Sequence, residues 1–184
     1  MTIFLSGCIM YLINSWNSTN SKGQCKMTIA FAGHSYVCAT TQIKKLVTEQ
    51  IKSAIVNEDF VTFYIGGYGD FDSICAQVCK ELKQERPGIE VVYVTPYISL
   101  SEQSKIDDLK RFGLCDSTIY PPIENIPPRF AILKRNEWMM TNADLIIAYV
   151  KYNSGGAYKS LQIAKRREKR IINICDILQD DSNA

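Results

Sequence analysis

Residues 60 to 79 read Phe60-Val61-Thr62-Phe63-Tyr64-Ile65-Gly66-Gly67-Tyr68-Gly69-Asp70-Phe71-Asp72-Ser73-Ile74-Cys75-Ala76-Gln77-Val78-Cys79. A short apolar run gives way to a glycine-rich turn, and then Phe71, Ile74, Cys75, Val78 and Leu82 recur at helical spacing. A buried strand, a tight loop and an amphipathic helix in that order form one step of a βαβ unit.

The same step recurs on both sides of this stretch. Strands are predicted at Thr28 to Ala32, Phe60 to Ile65, Glu90 to Thr95, Asp144 to Val150 and Arg170 to Ile174. Each is almost continuously apolar, as a strand covered on both faces must be. Helices are predicted from Thr41 to Val56, from Asp70 to Gln84 before Pro87-Gly88, and from Ser101 to Phe112 before Gly113. Two more run from Arg129 to Asn142 behind Pro127-Pro128, and from Gly155-Gly156 to Lys169. The alternation predicts a Rossmann-like three-layer α/β/α domain with a mainly parallel sheet of about five or more strands.

Composition narrows the partners. A net charge of +2 over 184 residues is too small for a broadly basic nucleic-acid surface, so any anion site must be local. Seven cysteines without a Cys-x-x-Cys pair, and a single histidine, leave no zinc pattern. They read as reduced thiols of a cytoplasmic protein, with Cys75 and Cys79 as small buried residues on one helix face. No metal or cofactor is called for. Residues 1 to 26 read as an extension appended to one domain at 27 to 184. The apolar run Ile3 to Ile13 is too short to span a bilayer, and Leu5-Ser6-Gly7-Cys8 lacks the basic start and apolar segment of a lipoprotein signal.

In an open parallel sheet, ligands sit outside the carboxyl ends of the strands. The segments expected there contain Gly33-His34-Ser35, Gly66-Gly67-Tyr68-Gly69-Asp70-Phe71-Asp72, Thr95-Pro96-Tyr97 and Asn153-Ser154-Gly155-Gly156. Glycines admit an anion to the backbone, and the following helix offers unpaired amides. The candidate ligand-binding residues are therefore Gly33, His34, Gly66, Gly67, Gly69, Asp70, Ser154, Gly155 and Gly156. Arg129 and Arg135 are candidates to neutralise a phosphate. Neither glycine loop fits a dinucleotide fingerprint or a P-loop, and tight turns account for each loop taken alone. Asp70 and Asp72 suit helix capping as well as ribose or metal binding. His34 suits donation to a phosphate or a structural hydrogen bond.

Ala32-Gly33-His34, the stretch from Phe63 to Asp72, Pro127-Pro128-Arg129-Phe130-Ala131-Ile132, Arg135-Asn136-x-Trp138-Met139 and Ser154-Gly155-Gly156-Ala157 together resemble the SLOG superfamily. That superfamily joins the Lonely Guy phosphoribohydrolases with the DNA-processing protein DprA on one Rossmann-like fold. The resemblance covers most of residues 27 to 175 and implies a nucleotide or nucleotide-derived ligand. Against the Lonely Guy pattern, Lys159 stands where a Thr is expected and Gln162 where the catalytic Glu would fall. An amide cannot act as a carboxylate base, so glycosidic hydrolysis would need Asp70, Asp72 or Glu137 to supply the missing acid, with Asp72 and Glu137 the catalytic candidates. By the same resemblance, single-stranded DNA binding through stacking on Tyr68, Tyr97 or Trp138 is a third reading. The small charge ranks nucleic acid below a small nucleotide-like molecule. A homodimer is compatible with the resemblance, although no residue pattern marks an interface.

Overall fold

The computed structural model describes residues 26 to 182. The lipoprotein-like box and most of the proposed extension lie outside them. Strand β1 (Lys26–Gly33) leads through α1 (Thr40–Ala54) to β2 (Phe60–Ile65), and α2 (Asp70–Glu85) leads to β3 (Ile89–Val94). Helix α3 (Leu100–Arg111) is followed by β4 (Ser117–Ile119), α4 (Pro128–Asn142), β5 (Leu145–Tyr149), α5 (Gly155–Arg166), β6 (Arg170–Asn173) and α6 (Ile174–Ser182).

All strand pairs are parallel, in the order β4-β3-β2-β1-β5-β6. The Rossmann-like α/β fold is thus observed. Alternate strand residues build its two cores, because successive side chains leave a strand on opposite faces. Ile29, Phe31, Phe63, Val91 and Ile147 pack with residues of α1, α2, α3 and α6. Ala30, Ala32, Tyr64, Val92 and Ile146 pack with Met139 and Met140 of α4 and Ala164 of α5.

Two elements go beyond the sequence reading. Strand β4 has only three residues and follows Asp116, whose carboxylate accepts from the Val91 amide at 2.8 Å. At the other edge, Ile174 begins α6 instead of ending β6. There the side-chain oxygen of Asn173 accepts from Val150 N–H at 3.0 Å, and its NH2 donates to Val150 O at 3.2 Å. Asn173 thus supplies from its side chain what another strand residue would supply from its backbone. The five described cysteines are free thiols, with Cys75 and Cys79 buried in the core. Among the described residues no helix is long and apolar enough to cross a membrane.

Candidate functional site

Strand order reverses between β1 and β5: the chain extends outward from β1 to β4, then returns to add β5 and β6 on the other side. A crevice opens at such a reversal because the following helices lie on opposite faces of the sheet. Gly33 and His34 form its floor, with the loop after β2 on one flank and the loop after β5 on the other.

The floor is tied down by its own side chains. His34 Nε2 accepts from the Lys151 amide at 3.0 Å and the Tyr152 amide at 3.3 Å, which requires the neutral ring protonated at Nδ1. Burial lowers its pKa from the ordinary 6.5, in keeping with that neutral form. Of the two roles expected of it, His34 here takes the structural hydrogen bond, as an acceptor from backbone amides and not as a donor. Asp70, expected as a cap or ribose ligand, instead accepts from the Val37 amide at 3.1 Å, while its own amide donates to Ser35 O at 2.9 Å. The loops after β1 and β2 are locked to each other.

The glycines of the first two loops answer to internal packing. A Cβ on Gly33 would lie 2.3 Å from the Phe71 ring, and one on Gly66 would lie 2.6 Å from Arg135 Nη1 and 2.8 Å from Asp72 Oδ2. Gly67 has φ +67° and would press a Cβ to 2.7 Å from Tyr93; Gly69 has φ +92° and would place one 2.6 Å from the Ser35 Cα. The side on which each of these glycines lacks a Cβ is filled by protein.

Arg135 differs most from expectation. It is 1% exposed, and its Nη1 donates at 2.8 Å to both Gly66 O and Val94 O, so it fastens the ends of β2 and β3. Asp72 lies beside it and accepts from Tyr68 N–H at 3.0 Å. Although Asp72 keeps partial exposure as a residue, enclosure of its carboxyl raises the pKa from 3.8, opposed by the Tyr68 amide and the charges of Arg135 and Lys105. Glu137 is elsewhere: it pairs with Lys134 at 2.8 Å, roughly 13 Å along α4 from its start. Arg129 is exposed in the first turn of α4, its guanidinium 4.8 Å from the Phe130 ring centre.

Two charged residues of this edge, Glu102 and Lys105, escaped the sequence reading. Glu102 is buried, accepting from Tyr93 Oη at 2.5 Å and Thr95 Oγ1 at 3.1 Å. Lys105 donates to Gly67 O at 2.9 Å and sits 3.8 Å above the Tyr68 ring, with Arg135 at 5.2 Å from the same ring. The signal for Glu102 was present as Ser99-x-x-Glu102, but that spacing reads as a capping box. Ser99 does cap the helix, accepting from the Glu102 amide, while the Glu102 carboxylate turns inward.

The loop after β5 is built differently. Ser154, Gly155 and Gly156 are exposed, and a Cβ on either glycine would meet nothing within 4 Å. Helix α5 begins there with no side-chain cap and no acidic residue in its first turn. Helix α2, by contrast, carries Asp70 and Asp72 in its first turn. Of the two glycine loops, the one opening α5 leaves amides and positive helix-dipole end turned to solvent.

Parallel sheet, strand order and edge crevice together define a Rossmann-like α/β protein. No family model matches the chain. A curated protein similar to it, UPF0398 protein BH1768 of Halalkalibacterium halodurans, is 27% identical over 138 residues, covering 71% of this chain and 71% of that protein. Among solved structures, DprA from Streptococcus pneumoniae superposes with a TM-score of 0.55 at 14% identity, covering 79% of this chain and 49% of that one. This chain thus spans about half the length of that protein. DprA from Helicobacter pylori, described for its single-stranded DNA binding mode, superposes with a TM-score of 0.50 at 14% identity, covering 86% of this chain and 74% of that one. The solved structures carry the fold.

Proposed function

We propose that the protein binds a nucleotide or nucleotide-derived ligand, with a phosphate at the N-terminus of α5 and the remainder in the crevice between β1 and β5. The observation that carries this reading is the open, uncapped start of α5 at the reversal of strand order. Ser154, Gly155 and Gly156 present backbone amides, and the helix dipole favours an anion there. Glycosidic hydrolysis has less support: Gln162 carries no charge, Glu137 is paired with Lys134 well down α4, Asp70 accepts from the Val37 amide, and Asp72 accepts from the Tyr68 amide beside Arg135.

A second reading is favoured by a specific observation. Tyr36, Tyr68 and Tyr152, from the loops after β1, β2 and β5, are 76%, 37% and 59% exposed. Exposed rings along a groove are platforms on which bases stack. The Helicobacter pylori neighbour binds single-stranded DNA, which speaks against ranking nucleic acid below a mononucleotide. Of the tyrosines and tryptophan named from sequence, Trp138 packs on Tyr64 with 5.5 Å between ring centres, and Tyr97 Oη donates to Pro128 O at 3.4 Å, leaving Tyr68 as the exposed one.

Thermal unfolding against nucleoside mono- and diphosphates and oligonucleotides of increasing length tests both readings. A ligand at one hundred times its dissociation constant adds about 2.7 kcal/mol of stability, a shift of several degrees in a domain of this size. Stabilisation by mononucleotides is the expected outcome. Stabilisation by oligonucleotides alone, growing with length and lost with salt, would establish the second reading instead.

A further inference from the structure

A cavity of about 450 Å³ lies between α5 and α6 at the carboxyl ends of β5 and β6. Its volume falls within the range of small-molecule sites, roughly 300 to 1,000 Å³. Val150, Leu161 and Ile171 give it an apolar floor, and the Tyr158 ring packs against the same cluster. Lys151 and Lys165 both line it, and neither forms an ion pair among the described residues. Asp176 is the acidic residue of its lining, and its carboxylate already accepts from Asn173 Nδ2 at 2.9 Å.

The cavity begins where the proposed phosphate site ends. Asn153 immediately precedes Ser154, and Tyr158 lies in the opening turn of α5. Lys165 comes ten residues after Gly155, its Cα roughly 15 Å along the helix axis, and its long side chain leans back toward the helix start into the cavity that it lines. Neighbouring phosphates of one diphosphate chain are too close together to use both ends. An apolar floor beside cations suits a base, with its sugar carrying an anionic group at each of two positions.

We propose that the cavity is a second anionic subsite, and that the ligand carries two separated phosphates, one at the start of α5 and one held by Lys151 and Lys165. This inference rests on the reading given above for the first phosphate. Calorimetric titration of the full chain with the four ribonucleoside 5′-monophosphates and the four matching 3′,5′-bisphosphates tests it. At least one bisphosphate is expected to bind about tenfold or more tightly than its monophosphate, a gain of about 1.4 kcal/mol. Lys165→Ala, a change at an exposed position, is expected to return that bisphosphate to the affinity of the monophosphate. Equal affinities in the wild-type chain, or a gain that survives in both Lys165→Ala and Lys151→Ala, would overturn the second subsite and leave the first phosphate site standing. Failure of all eight nucleotides to bind would overturn both.

Discussion

The loops after β2 and β5 share a glycine-rich composition and a position at the head of a helix, yet the protein uses them in opposite ways. Around Gly66, Gly67 and Gly69 every missing Cβ corresponds to space that Arg135, Asp72, Tyr93 or Ser35 already fills. Around Gly155 and Gly156 the corresponding space is empty. The first loop uses glycine so that the protein can close on itself, and the second so that something else can approach. The acidic first turn of α2 and the neutral first turn of α5 divide the same way, since carboxylates complement the positive end of one helix dipole and repel anions from it.

The largest effect expected from this contrast is on stability. Gly69→Ala would force a side chain onto φ +92° and against the backbone of Ser35, and a loss of about 3 kcal/mol or more is expected in urea unfolding. A loss below about 1 kcal/mol would show that the first loop yields and that the contrast is overstated. Gly156→Ala sharpens the other side. It should leave stability within about 1 kcal/mol of wild type, in the favourable direction for a helix residue, while calorimetry shows weaker nucleotide binding. Undiminished affinity would move the phosphate away from α5.

The smallest expected effect concerns the tie between the two flanks. The folded-state pKa of His34 is lowered, so the unfolded chain binds the proton more readily. Its contribution is fully present above about pH 6.5 and is lost as the pH falls from there toward the folded-state value. His34→Gln should remove that share of the pH dependence of unfolding. An unchanged profile would show that the bonds from the Lys151 and Tyr152 amides to His34 do not set the pH dependence of unfolding.

How much of this was legible in the sequence depends on what a residue's neighbours contribute. The long strands and helices could be read because burial on both faces writes itself into unbroken apolar runs. Ser117-Thr118-Ile119 carries no such run and is a strand only because β3 lies beside it. The Ile174 boundary was invisible because an apolar residue serves equally to end a strand or to begin a buried helix. In the site, the letters of the two glycine loops were alike. What separates them is Ser35 and Tyr93 on one side and open space on the other, and those relations are tertiary. Arg135 misled for the same reason, since an arginine that faces a phosphate and one that fastens two strand ends are the same letter.

Both outer strands of the sheet are very short: β4 has three residues and β6 has four. An exposed strand edge is a template on which another copy of a chain can add, and its hold grows with its length. At these borders a second copy would find few backbone groups in register, and next to β6 the chain turns directly into a helix. Among the described residues, the sheet therefore offers little hold for growth by extension at either edge, and edge-to-edge polymerisation is disfavoured at both ends.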